Sequence, residues 1–262
     1  MKIGIVGAGQ MGTALIRGFM RAEQHSPSAV TLLVKNPPNP RVDRLQAELG
    51  FALTSDDTVF AKAGLDTVIL TTPAPLTKAI VAKLVDQGLS PDTLLLSAAA
   101  GVTVAALHEI APNYPVVTFI PNIPVAVNQG IITIGKNAQT DPVQLAQAKQ
   151  LLALLGTVVV VKASQLNIAG TLSGCGPAFV DIFMAAMSDA AVAAGLDRPT
   201  AKQLIASMVA GSGQLAANSQ QSFSDLAGLV TSPGGTTIQG VLALEAHQFR
   251  HAIIQAVLAA NS

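Results

Sequence analysis

From Lys2 to Lys162, short runs of aliphatic and β-branched residues alternate with segments whose apolar positions recur every three or four places. The runs predict strands at Lys2–Val6, Thr31–Val34, Thr67–Leu70, Thr93–Ser97, Val116–Ile120, Ile131–Ile134 and Val158–Val161. Stretches such as Met11–Arg21 and Val42–Leu49 carry the helical period between them. Alternation of this kind implies a mostly parallel sheet with helices on both faces. The pair at Ile131 and Val158 is left open to a different closure of the sheet.

After Lys162 the β-branched runs stop. The helical period predicts helices over residues 165–172, 177–194, 199–218, 223–230, 236–246 and 248–260. A domain boundary is therefore expected near residue 163, with an α/β domain over 1–162 and an all-α domain over 163–262. No solenoid period or low-complexity tract interrupts either part. In "AFVDIFMAAMSDAAVAAGL", Ala178 to Leu196, only Asp181, Ser188 and Asp189 are polar, so apolar side chains wrap nearly the whole circumference. A helix of that kind needs cover on all sides, and a domain of about a hundred residues buries too little of itself to supply it. A homodimer through the helical domain is the expectation, with higher assembly left open.

Composition narrows the classes. Half of the 262 residues are hydrophobic but only 3% are aromatic, so the core is Ala, Val, Leu and Ile. Charged residues make up 11% and sum to zero, which offers no electrostatic footing for nucleic acid or an anionic membrane. The positive mean hydropathy raises the question of a membrane span. The best stretch, Ala178 to Leu196, carries two aspartates and ends at glycine and leucine, which argues against one. "MKIGIVGAG" does not read as a signal peptide, and the single Cys175 excludes an internal disulfide. A cytoplasmic protein is expected.

Chemistry is concentrated at two places. "GIVGAGQMGTALIRGF" holds a G-x-G-x-x-G at Gly7, Ala8, Gly9, Gln10, Met11 and Gly12, directly after a strand and opening a helix. In that context Gly7 makes the tight turn, Gly9 admits a pyrophosphate to the backbone, and Gly12 lets helix and strand approach, the arrangement of a Rossmann-like dinucleotide-binding domain. NAD-selective sites put an acid at the end of the second strand; here Lys35 and Asn36 stand there, with Arg41 as a second cation and no acid before Asp43. That favours NADP, with NAD left open.

The histidines His25, His108, His247 and His251 show no metal-ligand spacing, so no metal is expected. Cys175, at the expected start of a helix, has no evident base partner and reads as a packing residue. With few acids or bases to hand, the chain points toward reducing a C=N bond, whose nitrogen can carry its proton before hydride arrives. The second place is "LVTSPGGTTIQGV", where Ser232, Pro233, Gly234, Gly235, Thr236 and Thr237 crowd the mouth of a helix. Glycines there let backbone amides form an anion-binding concavity.

"DLAGLVTSPGGTTIQGV" closely resembles the signature of pyrroline-5-carboxylate reductases, and "GAGQMG", "SAAAGVTVAAL", "IPNIP" and "LSGCGPAF" resemble that family's other blocks in order and approximate spacing. The resemblance covers the whole chain. It implies a Rossmann domain followed by a helical domain that interlocks with a second copy, and NAD(P)H-dependent reduction of 1-pyrroline-5-carboxylate to L-proline. Carried over, Ser232, Gly234, Gly235 and Thr236 would bind substrate and Thr237 would hydrogen-bond the ring nitrogen as the catalytic residue. Thr71, Thr72, Pro73, Ala98, Asn122 and Asp57 would join the glycine loop at the cofactor. The chain departs from the family pattern in "LTTPAPL", at Thr118-Phe119 before "IPNIP", at Asn167, at Cys175 and Phe179, and at Asp57. A reductase of another small imino or keto acid and a catalytically idle NADP-binding paralogue are the competing readings. The keto-acid reading lacks a placed proton donor, Lys202 being the only lysine past residue 162.

Overall fold

The structure is a computed structural model that describes residues 1–25, 30–99, 101–136 and 140–261. Ala100, in the "SAAAG" block, and the side chain of His25 lie outside that description. The chain divides into two compact units, Met1–Gly174 and Cys175–Ser262.

In the first unit, β1 (Lys2–Val6), β2 (Thr31–Lys35), β3 (Ala52–Thr54), β4 (Thr67–Leu70), β5 (Leu94–Ser97), β6 (Val116–Pro121), β7 (Gly130–Lys136) and β8 (Gly156–Lys162) form one sheet in the order β3-β2-β1-β4-β5-β6-β7-β8. Every described pairing is parallel except β6 with β7, where Ile120 opposes Thr133. The different closure left open at Ile131 and Val158 is thus an antiparallel turn-back followed by a parallel β8. The sequence reading missed β3, whose three residues Ala-Leu-Thr are too short for any period; β3 forms because Val34 and Lys35 offer it a free edge.

Helices α1 (Gln10–His25), α2 (Pro40–Leu49), α3 (Asp57–Ala61), α4 (Ala74–Asp86), α5 (Val104–His108) and α6 (Pro142–Leu152) connect the strands. Their starts are set by short polar side chains. Asn39 accepts from the Arg41 amide, Asp56 from Thr58 and Val59, Thr103 from Ala106, and Asp141 from Val143 and Gln144. One cluster around Ile5, Leu15, Ile16, Phe19 and Phe119 fills one layer of core, and another around Phe60, Val68, Leu84 and Leu95 fills a second. Each such side chain stabilises by about 1.5–3 kcal/mol on burial.

The second unit is helical: most of α7 (Leu166–Ala193), then α8 (Arg198–Ala217), α9 (Phe223–Leu229), α10 (Thr236–Ala246) and α11 (Phe249–Ala260). The expected break between 172 and 177 does not occur; α7 runs through Pro177. A proline inside a helix leaves the carbonyl four residues back without its N–H. That carbonyl belongs to Ser173, and the Asn122 side-chain amide donates to it at 3.0 Å. The helix is therefore mended from outside rather than ended. Cys175 consequently sits within α7 and not at a helix start.

The first unit extends past residue 163 for a similar reason. A Cβ on Gly135 would meet Leu166, and one on Gly170 would meet Ile120, so the opening turns of α7 lie tight on β6 and β7. The stretch Ala163–Ala193 is also long and apolar enough to cross a membrane by length and composition, and 6% of its most apolar window is buried.

Candidate active site

The glycine loop joins β1 to α1. Gly7 has φ +94°, a conformation that side chains avoid. A Cβ on Gly12 would stand 2.2 Å from the Gly7 carbonyl, whereas Gly9 has nothing within 4 Å. The loop is thus closed where helix meets strand and open where a ligand would approach, the cradle a dinucleotide requires. Gln10, Met11 and Gly12 open α1, so their amides lack intrahelical acceptors.

Neighbouring strands brace the loop. The Thr71 hydroxyl, at the end of β4, lies 2.9 Å from the Val6 carbonyl and 3.0 Å from that of Gly7. Asn36 accepts from the Ala8 amide at 3.0 Å and donates to the Pro37 carbonyl at 2.7 Å. Thr72 shares a hydrogen bond with Thr77, Pro73 precedes α4, and the Ala98 amide donates to Leu70. The structure therefore gathers the glycine loop, Asn36, Thr71, Thr72, Pro73 and Ala98 at the carboxyl-terminal edge of the parallel strands, where ligands of open α/β sheets bind.

Asn122 is buried. Its Oδ1 accepts from Ile131 at 2.9 Å and its Nδ2 serves Ser173, so both ends of its side chain hold protein.

Lys35 and Asp57 meet each other. The Lys35 ammonium is 2.7 Å from one Asp57 oxygen and the Lys83 ammonium 2.5 Å from the other. Burial pushes the Asp57 carboxyl up, but hydrogen bonds and charge from the two lysines outweigh it and hold the group below the usual carboxylate range. Sequence reasoning missed this triad. Its signal was faint: Asp56 caps α3, leaving Asp57 beside it to turn back toward β2.

In the helical unit, residues 232–235 form a turn that delivers the chain into α10, whose first two residues are Thr236 and Thr237. The Gly235 amide donates to the Ser232 carbonyl at 3.0 Å. Gly234 has φ +69°, and a Cβ on Gly235 would lie 2.5 Å from the Ser232 hydroxyl oxygen. Gly234 is therefore required by its backbone conformation, whereas a side chain at Gly235 would displace the Ser232 hydroxyl. Asp197 and the Ser222–Asp225 capping box close the starts of α8 and α9, but no side chain caps α10 at Gly235. Its first-turn amides have no intrahelical acceptors, and Ser232, Thr236 and Thr237 beside them are exposed.

An eight-stranded dinucleotide-type sheet with an open glycine loop, followed by a helical unit, defines a two-domain NAD(P)-dependent oxidoreductase. Residues 2–101 match the model of NADP oxidoreductases, coenzyme F420-dependent, and residues 163–262 match that of pyrroline-5-carboxylate reductase dimerisation. The pyrroline-5-carboxylate reductase of Synechocystis is 32% identical over 99% of this chain and 96% of its own length. That of Escherichia coli K12 is 30% identical over 98% and 94%. The chain belongs to the pyrroline-5-carboxylate reductase family.

Solved structures agree. The Plasmodium falciparum pyrroline carboxylate reductase with NADP bound aligns at a TM-score of 0.84 and 25% identity, covering 100% of this chain and 95% of that one. The Coxiella burnetii pyrroline-5-carboxylate reductase aligns at 0.82 and 29%, covering 99% and 95%. Prephenate dehydrogenase from A. aeolicus, at 0.55 and 18% over 71% of this chain and 69% of that one, shares the fold.

Proposed function

We propose that this chain reduces 1-pyrroline-5-carboxylate to L-proline with NADPH, the last step of proline biosynthesis, as a soluble homodimer of the cytoplasm. The single observation that carries the reading is the uncapped start of α10 behind Ser232–Gly235. Family membership and the open glycine loop support it.

In this reading the substrate carboxylate rests on the amides around Gly234, Gly235 and Thr236, with the Ser232 hydroxyl donating to it; the positive end of α10 favours the anion. The Thr237 hydroxyl accepts from the protonated ring nitrogen and fixes which face of the ring is presented. Because that nitrogen already holds its proton, no acid is needed at the reacting carbon, and positioning is the main contribution of the chain. Bound NADPH supplies the hydride that reduces the C=N bond. Gly7, Ala8, Gly9, Gln10, Met11 and Gly12 receive its pyrophosphate, Asn36 and Thr71 keep the loop in shape, and Thr72, Pro73 and Ala98 border it.

The homodimer rests on the match to a dimerisation model and on the bare apolar surface of the helical unit. It also accounts for the long apolar helix without a membrane, since Pro177, Asp181 and Asp189 suit a protein contact better than lipid.

The test is NADPH oxidation with pyrroline-5-carboxylate, repeated with NADH and with a 2-keto acid. Turnover of the imine alone is expected. Turnover of the keto acid alone makes it a reductase of another acid, and tight NADPH binding without any turnover makes it an idle paralogue.

A further inference from the structure

Two cations follow β2, and the structure treats them differently. Lys35 is spent within the fold. Its side chain is 11% exposed and its ammonium lies on Asp57, which Lys83 holds from the other side. Drawing Lys35 off toward a ligand would strip a partly buried carboxylate of one partner, a costly exchange.

Arg41 is exposed, and no carboxylate among the described residues lies in ion-pair range of it. It is the second residue of α2, where the Asn39 cap fixes its backbone amide. Its Nη2 approaches the Gln10 Oε1 at 3.4 Å, so the guanidinium reaches from the start of α2 to the start of α1. Since β1 and β2 pair in parallel with Val6 opposite Lys35, both helix starts open on the same edge of the sheet. The nearest acid along the chain, Asp43, is two residues further on and so about 200° around the helix.

We propose that Arg41, and not Lys35, selects the 2′-phosphate that distinguishes NADPH from NADH. A guanidinium presents a planar fork matched to phosphate oxygens, and an exposed one keeps its full charge for the ligand. Lys35 serves the site by position: paired with Asp57, it ties the end of β2 to α3 and α4. The chain carries no acid of its own between the end of β2 and Asp43, where NAD-selective folds place the clamp on a free 2′-hydroxyl, and the Asp57 carboxylate that reaches this end is held by Lys35 and Lys83.

The inference rests on the NADPH reading above, and one experiment separates their fates. Dissociation constants for NADPH and NADH are measured by cofactor fluorescence on wild type, Arg41→Ala, Arg41→Lys and Lys35→Met, with melting curves to verify folding. Adenosine 2′-monophosphate serves as a displacing probe. Arg41→Ala is expected to weaken NADPH and the 2′-phosphate probe about 20-fold while changing NADH less than about 3-fold. Arg41→Lys recovers part of the loss, and folded Lys35→Met keeps the wild-type preference. An equal loss of NADPH and NADH in Arg41→Ala, no loss of either, or a lost preference in Lys35→Met overturns the inference. A wild type that binds both cofactors alike removes the NADPH reading too, whereas a preference for NADPH that survives Arg41→Ala removes this inference alone.

Discussion

The two units spend similar apolar material in opposite ways. In the first, Ile3, Ile5, Leu15, Ile16, Phe60, Leu84 and Leu95 are fully buried, because a sheet with helices on both faces supplies its own cover. In the second, only Ala201 and Ile205 are buried among the described residues, while Ile182, Phe223 and Val230 stay mostly exposed. Large apolar side chains left exposed in such number point to an interaction face. Hydrophobicity along a chain therefore states how much must be covered and not who covers it.

The strongest way to break this comparison is to charge the helical surface. Ile182→Asp places a carboxylate twice in a symmetric contact, at several kcal/mol per buried ion, and should leave a monomer or an aggregate by size exclusion with light scattering. An intact dimer with an unchanged melt would show that the exposed face is not the contact.

Next comes the mended helix. Asn122→Ala orphans the Ser173 carbonyl and the Ile131 amide, at about 1–3 kcal/mol each, so urea melts should show a loss of roughly 2–6 kcal/mol. Unchanged stability would mean that water replaces both bonds.

Thr237→Ala touches function instead of packing. Thr237 is exposed, so its loss should leave melting unaltered while lowering kcat/KM about 10-fold, one transition-state hydrogen bond of about 1.5 kcal/mol. Full activity in that variant would take Thr237 out of the reaction.

The smallest effect is electrostatic. Asp57 is held below its ordinary range, so it contributes stability above its unfolded value of about 3.9 and loses it as pH falls through the lower folded value. Asp57→Asn should therefore melt a few degrees lower at neutral pH and converge with wild type under strong acid. A gap that persists undiminished below pH ~2 would assign the effect to packing.

Much of this was legible in the residues. Seven strands declared themselves because they are short continuous runs of Val, Ile and Leu, and "GAGQMG" named its turn because only glycine fits at Gly7 and Gly12. Three features escaped, each for a tertiary reason. Strand β3 exists through its neighbour, and the continuity of α7 depends on an amide from the "IPN" segment. The pairing of Lys35 with Asp57 needs α3 to turn back on β2. Local pattern reports what a segment prefers; it is silent on partners distant in the chain.

One of those distant partnerships has an evolutionary edge. A proline that interrupts a helix and an asparagine that repairs it constrain each other as an epistatic pair. A lineage that first replaced Pro177 would regain a peptide N–H and be free to let Asn122 drift. One that first lost the amide would inherit an orphan carbonyl, so the order in which these two positions change is not neutral.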